Sequence, residues 1–270
     1  MYEERYIAFI DILGFGSLVE TSASNPEIVQ GIENALSEMV PAKLIEEMYG
    51  FLNEDVIPDD SLARARNVAK TLGEILAKKN PITVSYFSDS LVLSAAYDDV
   101  IASQTILELI AKLSVRLWNE YSLVIRGGIT IGSLTHKPNG PLFGPAMNRA
   151  YHLESKEALY PRVLVDKICL EHFQRIRTFQ IFDSLIEHDE HHAYFSLPSA
   201  LRYLATSSTL AMYDNERLRD VIKTRKELEA KINEIIALTT VTSVRDKYIW
   251  LAQESRMSSF EHRLLIQTPK

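Results

Sequence analysis

The sequence predicts an α+β fold: a ferredoxin-like sheet with helices on one face, followed by a helical C-terminal extension. Two observations support this prediction. Short apolar runs rich in β-branched and aromatic residues alternate with longer segments in which apolar residues recur at helical spacing. These elements follow one another in the order β-α-α-β-β-α-β-α-β, which begins with the βααββαβ arrangement of a split βαβ sheet.

The first strand and the first helices occupy the N-terminal third of the chain. Residues 5–12 form an apolar run that ends at the glycine-containing turn 13–17, which is typical of a buried strand. A helix is predicted over 26–52, with a break at Pro41 because proline cannot donate a helical hydrogen bond. A further helical pattern covers 61–79.

A hairpin and a long helix are predicted in the middle of the chain. The β-rich runs 82–87 and 91–94 flank the short polar turn Ser88–Ser90. Residues 98–120 form an amphipathic helix. Its apolar face is predicted to comprise Ile101, Ile106, Leu109, Ile110, Leu113 and Leu117. The next elements are a strand at 123–132, a helix at 144–159 and a strand at 162–166.

The remainder of the chain is predicted to be more helical. A short strand at 193–197 precedes two charge-rich helical segments, 214–238 and 243–266. We therefore divide the chain into an N-terminal domain at 1–170 and a mostly helical extension at 171–270 that packs on the core or on a dimer interface.

Composition excludes several classes of partner. The 270 residues include 29 Lys and Arg and 36 Asp and Glu, which gives a formal net charge of −7. Such a balance argues against nucleic acid and against an anionic membrane, since both are bound through basic surfaces. The single cysteine, Cys169, excludes an intramolecular disulfide. An acidic N-terminal segment and the lack of a long apolar run predict a cytoplasmic protein.

Two aspartates stand at matched places in the predicted sheet. Asp11 ends the first strand and Asp89 lies at the tip of the hairpin, so neighbouring strands would bring both carboxylates to one edge. Two close carboxylates repel each other, and a divalent cation such as Mg²⁺ or Mn²⁺ relieves the repulsion. The turn from Gly14 to Ser17 can point backbone N–H groups at an anion. The alternative is that these aspartates are only a helix cap and a turn residue.

Other polar candidates have simpler explanations. The stretch His188–His192 resembles a metal-binding tract, but a solvated turn before the next strand explains it better, because no helix or sheet supports the histidines. Arg126 begins a strand and is a candidate structural ion-pair partner. The charged helix 214–238 is predicted to be a solvated face or a dimer arm.

Four ordered segments together resemble the catalytic domain of the class III nucleotide cyclases, over about residues 5–166. They are Phe9–Phe15 (FIDILGF), Phe87–Asp89 (FSD), Arg126–Gly132 (RGGITIG) and Gly144–Glu154 (GPAMNRAYHLE). The resemblance implies a soluble homodimer with composite active sites, each holding two Mg²⁺ or Mn²⁺ ions and a nucleoside triphosphate.

The resemblance also implies roles for individual residues. Asp11 and Asp89 would bind the metal ions, together with the backbone carbonyl of Ile12. The turn of Gly14, Phe15 and Gly16 would contact the triphosphate.

The helix after Gly144 would supply the remaining catalytic groups. Asn148 would orient the ribose. His152 occupies the position of the transition-state arginine, so that role falls to His152 or to the nearby Arg149.

Departures from the family pattern concern the base. Ser85 stands where an adenine-reading lysine is expected, and Pro141 stands where its aspartate partner is expected. We therefore assign Ser85 and Tyr86 to the base pocket; strand alternation lets only one of them face inward.

The whole pattern is most similar to the bacterial pyrimidine cyclases of Pycsar-type antiphage defence. That similarity implies conversion of UTP or CTP into a 3′,5′-cyclic monophosphate plus pyrophosphate, and a separate effector that the product activates. Two alternatives stay open: an inactive cyclase fold that binds a nucleotide or a partner, and a purine cyclase with a rebuilt pocket.

Overall fold

The computed structural model describes residues 1–44, 82–175, 184–206 and 215–267, with side chains throughout except at 215–217 and 258–267. The predicted helix at 61–79 and the second part of the helix predicted at 26–52 lie outside the described residues. The segment 207–214, which precedes the charged helices, lies outside them as well.

The described elements follow the predicted order. The strands are β1 (Glu3–Ile12), β2 (Thr83–Phe87), β3 (Ser90–Ala96), β4 (Ile125–His136), β5 (Leu142–Phe143), β6 (Arg162–Val165), β7 (Glu187–His188) and β8 (Ala193–Ser196). The helices are α1 (Phe15–Ser22), α2 (Pro26–Ser37), α3 (Val100–Tyr121), α4 (Pro145–His152), α5 (Lys167–Arg175), α6 (Leu197–Thr206), α7 (Asn215–Leu238) and α8 (Thr242–Gln267). A π-helical turn, Leu153–Glu157, continues α4. The sequence predicted none of the helices α1, α5 and α6 and neither of the short strands β5 and β7.

One sheet organises the fold, with strand order β2-β3-β1-β4-β6-β8-β7 and β5 paired to β4. The pairing of β4 with β6 is parallel. The predicted hairpin is confirmed: β2 and β3 pair antiparallel, and Ser88 in the turn has a left-handed φ of 54°. The α+β fold class with a helical C-terminal region is therefore confirmed.

Helices cover both faces of the sheet, which corrects the prediction of a single helical face. Tyr6, Ala8 and Ile10 of β1 point into the main core. Ile7 and Phe9 point the opposite way, into a smaller core. The helix α4 fills that smaller core with Ala146 and Ala150. The reason is that β1 is apolar at every position from Tyr6 to Ile10, so both of its faces need cover.

A glycine lets α4 approach the sheet closely. A Cβ atom on Gly128 of β4 would lie 2.5 Å from the carbonyl oxygen of Ala150 and 2.4 Å from the Cβ of Leu153. The close contact therefore depends on the missing side chain, and it fixes where the side chains of α4 and of the π-helical turn emerge.

The long helix α3 buries most of its predicted face, but Ile101 is 62% exposed. Ile106 is fully buried. Five residues separate the two, and at ~100° per residue the Ile101 side chain points about 140° away from that of Ile106.

The sheet continues beyond the predicted domain boundary at residue 170. β8 pairs antiparallel with β6, and β7 pairs with β8. The helix α8 contacts this part of the sheet through Trp250, whose ring centroid lies 6.0 Å from that of Tyr194 on β8 and whose ring also stacks on Tyr160 just before β6. The division at residue 170 stays a prediction. In the described part of the chain, no helix is long and apolar enough to cross a membrane.

Candidate active site

The two predicted metal-binding aspartates lie at the same edge of the sheet. Asp11 is the penultimate residue of β1 and sits between Ser90 of β3 and Arg126 of β4 in the strand register. The Ile12 N–H donates to the backbone oxygen of Asp89 at 3.3 Å, which ties the hairpin turn to the end of β1. The Asp89 carboxyl thereby comes within hydrogen-bonding reach of Asp11.

Negative charge exceeds positive charge at this edge. Arg126 Nη2 lies 3.3 Å from Asp11 Oδ2, and Arg126 Nε lies 2.6 Å from Glu154 Oε1. Burial, then repulsion from Asp89 and Glu154, raises the pKa of Asp11 to about 7, although Arg126 opposes the shift. Burial and the charge of Asp89 also raise the pKa of Glu154. Arg126 thus pairs with two carboxylates, and Asp89 adds a third negative charge beside them.

Lys247 of α8 is a second cation near this edge. Burial, followed by repulsion from Arg126, lowers the pKa of Lys247, so the two cationic groups are neighbours. The helix α8 therefore brings one cationic side chain within electrostatic range of Arg126.

The turn after β1 has the geometry of an anion site. Gly14 caps α1 with φ 83°, a left-handed conformation that favours glycine, and no side chain caps the helix. The first N–H groups of a helix have no partner within the helix, so those of Phe15 and Gly16 are free of intrahelical bonds. The Phe15 ring is buried in the main core, whereas a Cβ on Gly16 would meet nothing within 4 Å. Phe15 thus anchors the turn while the backbone around Gly16 stays open.

The structure separates the two predicted base-pocket residues. Ser85 pairs with Val92 in the register, on the same face of the sheet as Asp11. Tyr86 shares the opposite face with Val84, which packs against the main core, and its side chain is 45% exposed. Only Ser85 lies on the face of the aspartates.

Ser85 belongs to a buried polar chain. Its Oγ lies 2.9 Å from His136 Nε2, and His136 Nδ1 lies 2.8 Å from Ser94 Oγ. Arg5 Nε donates to the same Ser94 oxygen at 3.0 Å, and Arg5 Nη2 donates to Thr83 Oγ1. Burial, then the charge of Arg5, lowers the pKa of His136 to about 4. The imidazole is therefore neutral at neutral pH.

The helix α4 carries the three predicted catalytic residues with different surroundings. Asn148 is exposed. Arg149 makes two hydrogen bonds to Asp166, from Nε at 2.9 Å and from Nη2 at 3.2 Å, and a third to Glu157 at 2.6 Å. His152 is 56% exposed, with Nδ1 3.0 Å from Glu157. The structure thus brings Arg149 and His152 to Glu157, and their catalytic roles stay predictions.

The Arg149 partners form a self-neutralising cluster. Asp166 also accepts hydrogen bonds from Thr130 Oγ1 and from the Lys167 N–H. Despite burial, these bonds lower the pKa of Asp166, and bonds from Arg149 and from two histidines lower that of Glu157. We call Arg149, Asp166 and Glu157 the Asp166 cluster.

Residues 189–192 of the histidine stretch form the turn between β7 and β8, as the simpler explanation predicts, and His188 lies in β7. Asp189 pairs with Arg162 and accepts the N–H groups of His191 and His192. His192 Nε2 lies 3.2 Å from Glu157. In the described ranges, no group of three or more His, Cys, Asp or Glu side chains could hold a metal ion.

The aspartate pair nevertheless fits divalent cations of the Mg²⁺ type. Its donors are hard carboxylate oxygens, and the raised pKa of Asp11 marks negative charge that the surrounding protein does not compensate. Asp11 is only 14% exposed as a side chain, so water compensates it little. Asp11, Asp89 and the Ile12 carbonyl are the groups that would hold such ions.

Sequence reasoning gave no role at this site to Glu154, His136 or Arg5. Two of them carry a signal in hindsight. Arg5 is a cation in a run predicted to be a buried strand, so it needs an internal partner. His136 is ten positions after Arg126 on β4, and residues an even number of positions apart on a strand share a face. Both side chains therefore lie on the face of Asp11. Glu154 lies in a π-helical turn, and no local pattern indicates that turn.

Solved structures similar to this chain are described as nucleotide cyclases. The adenylyl cyclase CyaB from P. aeruginosa is 14% identical, with a TM-score of 0.45 over 72% of this chain and 94% of that chain. A rhodopsin-guanylyl cyclase core with converted specificity, in complex with ATPαS, is 13% identical, with a TM-score of 0.42 over 72% and 96%. A bacterial light-regulated adenylyl cyclase is 14% identical, with a TM-score of 0.37 over 83% and 98%. These TM-scores are low, so we infer no function from them. No family model and no curated protein matches the sequence.

Proposed function

We propose that this protein is a nucleotide cyclase that converts a pyrimidine nucleoside triphosphate, UTP ahead of CTP, into its 3′,5′-cyclic monophosphate and pyrophosphate. The observation that carries the proposal is the juxtaposition of Asp11 and Asp89 beside the open Gly14–Gly16 turn. Two neighbouring carboxylates next to backbone donors without intrahelical bonds form a site for metal ions together with a polyphosphate.

The proposed reaction needs positioning and charge more than covalent help from the protein. The ribose 3′-oxygen forms a bond to the α-phosphorus, the bond from that phosphorus to the bridging oxygen breaks, pyrophosphate leaves, and the hydroxyl proton passes to water. Divalent cations bound at the carboxylates would supply charge to the triphosphate and acidify the 3′-hydroxyl.

The residues of this chain have separate tasks in the proposal. Asp11 and Asp89 hold the cations, and the N–H groups of the Gly14–Gly16 turn hold phosphate oxygens. Arg126 and Lys247 stand near the same edge as positive side chains, and they could balance charge that develops on the leaving pyrophosphate.

A second copy of the chain completes the proposed site. Three large apolar side chains are exposed on the aspartate face or beside it, Phe87 at 84%, Tyr151 at 52% and Phe143 at 50%. Burying them against a partner is favourable. In this homodimer, Asn148 and His152 of one copy act on the ribose and phosphates held by the other copy. Arg149 holds α4 in place through Asp166.

The product assay with four nucleotides tests the proposal. Purified protein with Mn²⁺ is incubated separately with labelled ATP, GTP, CTP and UTP, and cyclic monophosphate and pyrophosphate are measured. We expect a cyclic product from UTP, less from CTP and least from the purines. Asp11→Asn and Asp89→Asn should each lower turnover by about a hundredfold or more, since each removes a charged ligand.

A matched control is Asp98→Asn, which removes an exposed carboxylate just after β3 and should leave turnover unchanged. Full turnover in either ligand variant would exclude the two-carboxylate site. A cyclic purine nucleotide as the main product would instead identify the protein as a purine cyclase and contradict the proposed pyrimidine substrate.

One observation favours a second candidate, a cyclase-fold module that binds a nucleotide without turning it over. The arginine on α4 is held by three hydrogen bonds to Asp166 and Glu157, so it is not available to a transition state in this conformation. This candidate predicts saturable nucleotide binding in the same samples, with no pyrophosphate release from any nucleotide.

A further inference from the structure

In the polar chain that ends at Ser85, the chemistry of the groups fixes which atom donates each hydrogen bond. Arg5 can only donate, and its Nε donates to Ser94 Oγ. Ser94 is fully buried, and the partners of its hydroxyl in the described chain are Arg5 and His136. Leaving the Ser94 proton without an acceptor would be costly, so that hydroxyl donates to His136 Nδ1.

The acceptor role of His136 Nδ1 also determines which atom donates in the bond to Ser85. A neutral histidine that accepts at Nδ1 carries its proton on Nε2. His136 Nε2 lies 2.9 Å from Ser85 Oγ, so the imidazole donates to the Ser85 oxygen. The Ser85 proton is then free to point away from His136. The side chain of Ser85 is half-buried, so this proton can reach a ligand.

The position of Ser85 relative to the aspartates matches the span of a nucleotide. Ser85 pairs with Val92, and Val92 pairs with Phe9, two residues before Asp11. Two strand spacings and two residues along the strand give a backbone separation of about 12 Å between Ser85 and Asp11. A nucleotide with its phosphates at Asp11 would place its base near Ser85. The Tyr151 ring, 5.5 Å from that of Phe9, borders the same surface.

We propose that Ser85, held as a hydrogen-bond donor by His136, Ser94 and Arg5, reads the exocyclic oxygen of the base, O4 of uracil or O6 of guanine, at the ring position where cytosine and adenine carry an amino group. The site therefore prefers keto bases, uracil and guanine, over amino bases, cytosine and adenine. This inference rests on the proposed function, because it takes the Asp11 edge as the phosphate end of the site. Together with the proposed pyrimidine preference, it selects UTP over CTP.

Two binding measurements test the base preference without turnover. Dissociation constants are measured by calorimetry for the α,β-methylene analogues of UTP and CTP, in the presence of Mg²⁺. The wild type should bind the UTP analogue about tenfold more tightly, the value of one well-placed hydrogen bond. Ser85→Ala should bring the two constants together, and Ser85→Thr, which keeps the hydroxyl, should restore the difference.

A second variant tests the chain itself. Ser94→Ala removes the donor to His136 Nδ1 at a position that pairs with Ile7. Three hydrogen bonds, Ser94 to His136, His136 to Ser85 and Ser85 to the base, separate this position from the ligand. Ser94→Ala should reduce the ratio between the dissociation constants of the two analogues, whereas a loss of folding would weaken the binding of both by the same factor. The control is Ser133→Ala on β4. It removes a hydroxyl that donates to Glu4 of β1, and the Ser133 side chain lies on the face of the sheet opposite to that of His136.

The imidazole tautomer gives a readout independent of any nucleotide. A long-range ¹H–¹⁵N correlation spectrum should show the His136 proton on Nε2 in the wild type and a mixture of tautomers in Ser94→Ala. A proton on Nδ1 in the wild type, or equal binding of the two analogues, would overturn the inference. A UTP preference without any cyclic product would instead remove the proposed function and leave the inference in place.

Discussion

Two carboxylate clusters lie on the same face of the sheet, on either side of β4, and they differ in how their charge is compensated. At the Asp11 edge, Arg126 pairs with Asp11 and Glu154, and Asp89 adds a third carboxylate beside Asp11. In the Asp166 cluster, a carboxylate receives two hydrogen bonds from Arg149 and two more from Thr130 and Lys167.

The pKa shifts of the two clusters have opposite signs. Burial opposes ionisation in both, but the donors around Asp166 overcome it and lower its pKa. Around Asp11, burial acts together with neighbouring negative charge and raises the pKa to about 7. The comparison teaches that the Asp166 cluster is complete within the chain, whereas the Asp11 edge needs cations from outside it. The first therefore supports the fold, and the second is the functional site that we propose.

The largest expected effect comes from the glycine that places α4 between the two clusters. Gly128→Ala would put a Cβ 2.5 Å from the Ala150 carbonyl oxygen, so α4 must move. We expect a loss of about 3 kcal/mol in the free energy of unfolding, typical of overpacking at backbone contacts. Urea denaturation measures it.

The control is Gly132→Ala on the same strand. Its Cβ would lie 3.4 Å from the Cβ of Ala146, a contact that a small adjustment relieves. We expect less than about 1 kcal/mol there. Equal losses in the two variants would mean that the approach of α4 does not depend on Gly128.

The sheet could be predicted from the sequence because its signals are local. The apolar run before Gly14, the hairpin at Ser88–Asp89 and the long amphipathic helix α3 each carry their own pattern, and each is present in the structure. The pairing of Asp11 with Asp89 followed from strand ends meeting at one edge. The second helical face did not follow, because an apolar strand such as β1 does not show what covers each side.

The partners of the charged residues could not be predicted, because they depend on distant contacts. Arg149 is a catalytic candidate because it lies near His152 on α4, yet its bonds go to Asp166, 17 positions along the chain. His136 is 51 positions from Ser85 and 42 from Ser94. Only the register of the assembled sheet brings such groups together.

The next prediction tests whether Arg149 is a structural residue. Arg149→Ala leaves Asp166 and Glu157 without their cation, and we expect a loss of about 2 kcal/mol, below that of a fully buried pair because the arginine side chain is 41% exposed. Arg149→Lys keeps the charge but loses the two-pronged contact, so its loss should be about half as large. Thermal and urea unfolding measure both. If Arg149→Ala leaves the free energy of unfolding unchanged, Arg149 has no structural role and is again a candidate catalytic residue.

The smallest effects give the sharpest comparison, because they should have opposite signs. In metal-free buffer near neutral pH, Asp166→Asn should destabilise the protein by about 1 kcal/mol, since it weakens charge-assisted hydrogen bonds. Asp11→Asn should stabilise it by about 1 kcal/mol, since it removes a charge that Asp89 and Glu154 repel. Both values come from urea unfolding in the presence of EDTA. A loss of stability in Asp11→Asn would show that Arg126 already compensates this edge.

The pH dependence of these two variants separates charge from packing. The native pKa of Asp166 is depressed, so its contribution is present above the ordinary value of 3.8 and is lost as the pH falls through the native pKa. The native pKa of Asp11 is raised to about 7, so its ionisation costs stability as the pH rises from 3.8 towards that value. The stability that Asp166→Asn loses relative to the wild type should therefore become smaller only in strong acid. The stability that Asp11→Asn gains should already be absent near about pH 4. Differences that stay constant between about pH 3 and about pH 8 would assign both effects to packing.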